Sequence, residues 1–187
     1  AKSPLTGGFG EAEAGGYFGP ELKFAGFDAI VFYGRSSKPA YLWIHDGDVA
    51  IRDARDLWGK DNWKTLEKLR DELGDKRIRV ASIGPAGERL IPFACVQNDL
   101  EHFNGRAGMG AVMGSKNLKA VAFSGSGEIP VAGSKAITDL NARYMSDFKK
   151  DIRLMDKISI RFLDVVSKII SKTGIRFPAE PATLREI

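Results

Sequence analysis

An α+β fold is what this sequence predicts, and three observations predict it. Strand-forming runs outnumber helical ones, and several are separated by short turns, which favours a sheet with flanking helices over a doubly wound one. A glycine-rich stretch, residues 98–119, interrupts these runs. From Ser134 onward apolar residues recur every three or four positions, the mark of a helix. The change of pattern separates residues 1–133, an α+β domain, from residues 134–187, the beginning of a helical one.

Residues 3–19 are rich in glycine and small side chains and read as a loop lying against a ligand or another element. A short helix follows over 18–25: Pro20 suits its first turn, Glu21 complements the dipole and Gly26 ends it. Residues 27–34 form a continuous apolar strand candidate, and 34–39 a turn. Residues 40–45 and 48–52 pair as a hairpin across Asp46-Gly47. Asp61 or Asn62 caps a helix running to about Leu73, with Trp63, Leu66, Leu69 and Leu73 on one face and Gly74 closing it. Residues 77–83 and 91–97 read as strands flanking Gly84-Pro-Ala-Gly87, and residues 118–124 as another. The final stripe, which runs from Ile137 through Ile152 to Ile169, fits one or two amphipathic helices packed in a core. They end at Gly174, with Pro178 and Pro181 beyond.

At 187 residues the chain holds one domain and part of a second. Hydrophobic residues make up 43% and charged ones 28%, within the ordinary globular range. No apolar run nears the roughly 20 residues of a membrane span, and no signal-peptide pattern opens the chain. The single cysteine, Cys95, excludes an internal disulfide framework and fits a reducing cytoplasm. In its apolar run it reads as a buried small hydrophobe. With only two histidines beside it, no conventional zinc or Fe–S site can be assembled. The net charge of +4 and pI near 9.2 come from basic residues interspersed with acids, as in Arg52-Asp-Ala-Arg-Asp56. Nucleic-acid modules instead gather their basic residues on one face, so no nucleic-acid partner is expected, and no membrane.

The stretch 98–119 packs Gly105, Gly108, Gly110 and Gly114 around Arg106 and ends with Lys116 and Lys119. Glycines allow close backbone approach, and successive free N–H groups form an anion cradle that a following helix N-terminus strengthens. A P-loop needs four residues between its glycines, followed by Gly-Lys-Ser/Thr. Here three separate Gly110 from Gly114, and Gly-Ser-Lys follows. The dinucleotide fingerprint is missed by one residue. Two readings remain: a seat for a phosphorylated ligand, or glycines serving a tight turn under packed elements. No nucleophile–base pair stands out, so no catalytic residue is assigned.

The run Gly105-Arg-Ala-Gly-Met-Gly-Ala-Val-Met-Gly-Ser-Lys-Asn-Leu-Lys-Ala120 resembles the pterin-binding loop of the tungsten-containing aldehyde ferredoxin oxidoreductases. Three other stretches match in order: Lys2-Ser-Pro-Leu-Thr-Gly7, the run from Gly15 to Ala29, and Ile83-Gly-Pro-Ala-Gly-Glu88. The resemblance covers residues 1 to about 132. Because Lys2 begins inside a motif, the chain reads as a fragment. For the fold, the resemblance implies two packed β-sheets with flanking helices, then the start of an all-α domain.

For the site, the resemblance implies a tungsten (or molybdenum) atom held by the dithiolene sulfurs of two pterins, whose phosphates are bridged by Mg2+. Gly15, Gly105 and Arg106 match positions that contact pterin or its phosphate. The main-chain carbonyls of Glu13 and Phe103 match those that bind the magnesium. Two departures stand out. The best-known members carry Asn at the place of Glu13, and Arg-Ala-Ala-Gly-Arg where this chain has His102-Phe-Asn-Gly-Arg106. His102 replaces an arginine and carries charge only when protonated. These segments resemble bacterial members, including the active-site subunits of tungsten benzoyl-CoA reductases.

The implied activity is oxidation of an aldehyde to a carboxylic acid. Its electrons pass through a [4Fe–4S] cluster, held elsewhere, to ferredoxin or an electron-transfer subunit. The alternative substrate is an aromatic acyl-CoA. A homodimer is among the assemblies the resemblance allows. The rival from the residues alone is a stand-alone phosphate- or nucleotide-binding module.

Overall fold

The computed structural model describes residues 1–173, and the chain divides into two compact units at Ile129/Pro130. The first unit contains, in order, α1 (Phe18–Phe24), β1 (Ala40–His45), β2 (Asp48–Asp53), α2 (Asn62–Leu73), β3 (Arg79–Ser82), α3 (Pro85–Glu88), β4 (Val96–Asn98), β5 (His102–Asn104), α4 (Met109–Ser115) and β6 (Leu118–Ser124). The second contains α5 (Ser134–Thr173).

The α+β class holds. One mixed six-stranded sheet, in the order β2-β1-β6-β3-β4-β5, carries helices on both faces. β1 and β6 run parallel, and the other neighbours are antiparallel. Two sheets are implied by the resemblance, but the described residues build one, with only a Lys2–Phe9 bridge outside it. β6 lies at the centre and is buried from Leu118 to Phe123. Side chains alternate across a strand, so β3 feeds two cores. Val80 joins Leu66 and Leu69 of α2 on one face, and Ala81 joins Phe18 and Met113 on the other.

The hairpin is closed by Asp46 (φ +46) and Gly47 (φ +90), both with positive φ as the twist of a two-residue turn demands. In α2 the Asp61 carboxylate accepts from the Lys64 N–H at 2.8 Å, and Gly74 ends the helix in the left-handed region at φ +71. Trp63 was expected on the buried face and is 58% exposed. The core position nearest the helix start belongs to Thr65, whose hydroxyl donates to the Asp61 carbonyl at 2.7 Å.

Residues 27–34 form no strand. Both edges of β1 are already taken, by β2 and β6. The segment therefore lies over the sheet, with Phe27, Ile30 and Phe32 packed against the α1-side core and Val31 and Tyr33 exposed. The strand expected over 91–97 shrinks to β4, because residues 91–95 turn past α4 and the Ala94 carbonyl accepts from the Gly110 N–H at 2.9 Å. Cys95 thus sits half-buried in a loop rather than within a strand.

α5 is a single helix, and within the second unit Leu140, Tyr144, Ile158 and Phe162 of its apolar stripe are exposed. Gly174, Pro178 and Pro181, and the side chains of Ile152 and Ile169, lie outside the described residues. No helix among the described residues is long and apolar enough to cross a membrane.

Candidate functional site

β5 runs into a turn at residues 105–108 that delivers the chain to α4. Ala107 (φ +59) and Gly108 (φ +73) are successive left-handed residues. For alanine that conformation costs about 1–2 kcal/mol, so the turn needs a brace. Ser3 supplies it. Its buried hydroxyl donates to the Ala107 carbonyl at 2.8 Å and accepts from the N–H groups of Leu5 (3.2 Å) and Thr6 (3.1 Å). The Lys2–Gly7 motif is therefore a clip on the glycine-rich turn, over a hundred positions away in sequence.

The four glycines separate into two kinds. A Cβ on Gly108 would fall 1.9 Å from the Pro92 carbonyl oxygen, one on Gly110 2.4 Å from the Cys95 carbonyl oxygen, and one on Gly114 1.9 Å from the Gly87 carbonyl oxygen. No side chain fits there, so these three serve packing of α4 against α3 and the 92–95 loop. Gly105 has nothing within 4 Å of its Cβ position. It is exposed, as is Arg106 beside it, and among the described residues the Arg106 guanidinium forms no ion pair. The packing reading holds for three glycines, and the open position is the one next to the free cation.

A second segment lies alongside. The Asn104 side-chain amide donates to the Ala12 carbonyl at 3.0 Å. The His102 ring lies against the backbone of Gly15 and Gly16, where a Cβ would come within 3.3 Å and 2.6 Å of ring atoms. Residues 12–16, which include Glu13 and Gly15, are thereby held against His102 and Asn104 of β5, the strand that also carries Phe103 and leads into Gly105 and Arg106. Glu13 is exposed and Phe103 is 52% exposed. Ala12, Ala14 and Asn104 of these segments border a largely apolar cleft of about 380 Å³ lined also by Ala81, Val96, Val121 and Asn98.

The two lysines that end the stretch point elsewhere. Lys116 donates to the Gly34 carbonyl at 3.0 Å. Lys119 is fully buried and spends its three protons on the Lys60 carbonyl (2.7 Å), the Ile83 carbonyl (2.7 Å) and the Glu88 carboxylate. Burial holds its ammonium below the ordinary lysine range, against the pull of Glu88. The second Glu88 oxygen accepts from the Gly59 N–H at 2.8 Å. Glu88, without an assigned role from sequence, ties α3 to β6. No group of three or more His, Cys, Asp or Glu side chains gathers among the described residues.

Against known proteins, residues 1–125 match the family model "Aldehyde ferredoxin oxidoreductase, N-terminal domain". The chain belongs to the aldehyde ferredoxin oxidoreductase family. It is 54% identical over 131 residues to the tungsten-containing aldehyde ferredoxin oxidoreductase of Pyrococcus furiosus, a match that takes in 70% of this chain and 22% of that protein. The Thermococcus kodakarensis enzyme of the same name is 55% identical over 131 residues, again 70% of this chain and 22% of that one. Among solved structures, the active site complex BamBC of benzoyl coenzyme A reductase, in complex with 1,5 dienoyl-CoA, superposes with a TM-score of 0.70 at 41% identity. That likeness spans 72% of this chain and 20% of the other. The chain thus spans about a fifth of the length of these family members.

Three residues that shape this site receive no role from the sequence: Ser3, Asn104 and Arg79. Arg79 stands over the Tyr17 ring at 4.3 Å and pairs with Asp99 at 3.3 Å. The sequence offers a signal for two of them, Ser3 within the matched Lys2–Gly7 stretch and Asn104 as one of the changed residues in His-Phe-Asn-Gly-Arg.

Proposed function

We propose that this chain seats the phosphate-bearing end of a bis-pterin tungsten or molybdenum cofactor, in an oxidoreductase that converts an aldehyde and water to a carboxylic acid. The observation that carries this is the division of the glycines. Packing accounts for Gly108, Gly110 and Gly114, and leaves Gly105 and Arg106 open beside the segment that carries Glu13 and Gly15. The residues present fit the group: a guanidinium with no ion pair among the described residues for phosphate, a glycine with open space at its Cβ position for close approach, and, at the exposed residues Glu13 and Phe103, main-chain carbonyls of the oxygen type that a hard cation prefers.

In this reading Arg106 would bind phosphate, Gly105 would admit it, Gly15 would present its backbone to the cofactor from over the His102 ring, and the Glu13 and Phe103 carbonyls would hold Mg2+. When bound, the cofactor supplies two-electron redox chemistry. A [4Fe–4S] cluster would pass the two electrons on to ferredoxin or a partner subunit. Cys95 alone cannot hold that cluster, which belongs to other parts of the protein. The cytoplasm is the compartment in keeping with this chemistry. A second reading is supported by the 41% identical benzoyl-CoA reductase complex: an active-site subunit acting on an aromatic acyl-CoA, with the same seat and a different substrate.

Replacing Arg106 by alanine in a protein of the relatives' full length tests the seat. A charge-assisted hydrogen bond is worth about 1.5–3 kcal/mol, so retained pterin and tungsten per chain should fall at least tenfold at limiting cofactor while the unfolding midpoint stays put. Full metal and pterin content in that variant would remove Arg106 from the role.

A further inference from the structure

The ladder places four polar side chains on one face of the sheet. Ala81 pairs with Asn98, and Asn98 pairs with His102, so these three share a face. Arg79 is two residues from Ala81 and Asn104 two from His102, which puts both on the same face. The central strands β1 and β6 instead carry Leu42, Ile44, Val121 and Phe123 into the core on this side. Three of the four each meet a different part of residues 12–17. Asn104 holds the Ala12 carbonyl at 3.0 Å, His102 lies against Gly15 and Gly16, and Arg79 stands 4.3 Å from the centre of the Tyr17 ring. Arg79 is itself fixed by Asp99, whose other oxygen accepts from the Val80 N–H at 3.1 Å. The Arg79 Nε is buried without a hydrogen-bond partner among the described residues, so its place is set by the stack on Tyr17 and the Asp99 pair.

We infer that Arg79, His102 and Asn104 form a three-point support that fixes the backbone of residues 12–17, so that His102 and Asn104 act on a bound phosphate through that backbone and not by touching it. The inference rests on the seat proposed above and changes the part His102 plays in it. A histidine serving as the phosphate's cation must keep its charge. One serving as a platform under two glycines needs only a flat ring. Gly16 has φ +93 and no room for a Cβ against that ring, so ring and glycine are matched in shape.

The two parts can be tested separately. Amide hydrogen exchange of the 187-residue chain, with no cofactor present, reads the support alone. Exchange at residues 14–17 should rise about fivefold in Asn104→Ala and in His102→Ala, as expected for one lost neutral contact of about 1 kcal/mol. It should stay at the parent rate in His102→Phe. Unchanged exchange in the two alanine variants, or a rise in His102→Phe equal to that in His102→Ala, overturns the inference. If His102→Ala loses the fold, Tyr17→Ala removes the third support from the solvent side, and a flat response there overturns it equally. Pterin content of the full-length protein reads the seat. His102→Phe should retain the cofactor and His102→Ala lose it. If exchange responds as stated while every variant keeps full cofactor, the support stands and the seat falls.

Discussion

The two halves of the glycine-rich stretch share a composition and behave in opposite ways. From Gly108 to Lys119 the glycines and the last lysine turn inward: three glycines lie against carbonyl oxygens, and Lys119 is sealed under Glu88. From Gly105 to Ala107 the chain is open, positively charged and held in a left-handed turn by a serine from the far end of the domain. The lesson is that a glycine's role is set by what stands where its Cβ would be. Glycine-rich sequence marks close approach of backbone, and the structure tells whether the approaching atom is protein or leaves room for a ligand.

The largest effect should come from the inward half. Lys119→Met leaves the Glu88 carboxylate buried and unpaired, which costs about 3–5 kcal/mol, read as the shift in urea unfolding. A loss under 1 kcal/mol would mean that Glu88 finds water. Gly114→Ala comes next. Helix propensity alone favours alanine by about 1 kcal/mol, but the new methyl collides with the Gly87 carbonyl, and overpacking of this kind costs about 1–3 kcal/mol. A net gain in stability would break the comparison at its inward end.

A smaller, pH-dependent effect checks the scaffold on the α2 face. Burial, then the hydrogen bond to Glu72, pushes the Tyr41 phenol up to about 12. The folded state keeps this proton after the unfolded state has begun to lose it near 10.0. The stabilising contribution is therefore complete below pH 10 and fades as pH rises toward 12. Tyr41→Phe should remove that part of the alkaline slope, and an unchanged slope would assign it to another group.

Much of the scaffold was legible. Asp61 and Gly74 bracket α2 with a cap and a left-handed stop, Asp46-Gly47 closes the hairpin, and the apolar run at 118–124 became the central strand, because each signal is local. What stayed hidden depends on distant partners. α4 contains two glycines in seven residues, a composition that propensity argues against, and it exists because those glycines let it pack on α3 and the 92–95 loop. Residues 27–34 carry strand composition but meet no free strand edge. At the site, the resemblance points to Arg106 and Gly105 by position, whereas the grip of Asn104 on Ala12 spans 92 positions and no local pattern names its partner. His102 drew notice for its charge, yet the contact it makes is that of its ring.

The least stability should be lost where the seat is most open, and this gives the most direct test of the division. Gly105→Val adds a side chain at a position with nothing within 4 Å of its Cβ. In a full-length family member carrying this change, the unfolding free energy should change by no more than about 0.5 kcal/mol, while pterin and tungsten per chain fall sharply. An unfolding shift as large as that of Gly114→Ala, with cofactor content lost only in proportion, would place Gly105 among the packing glycines and contradict the account.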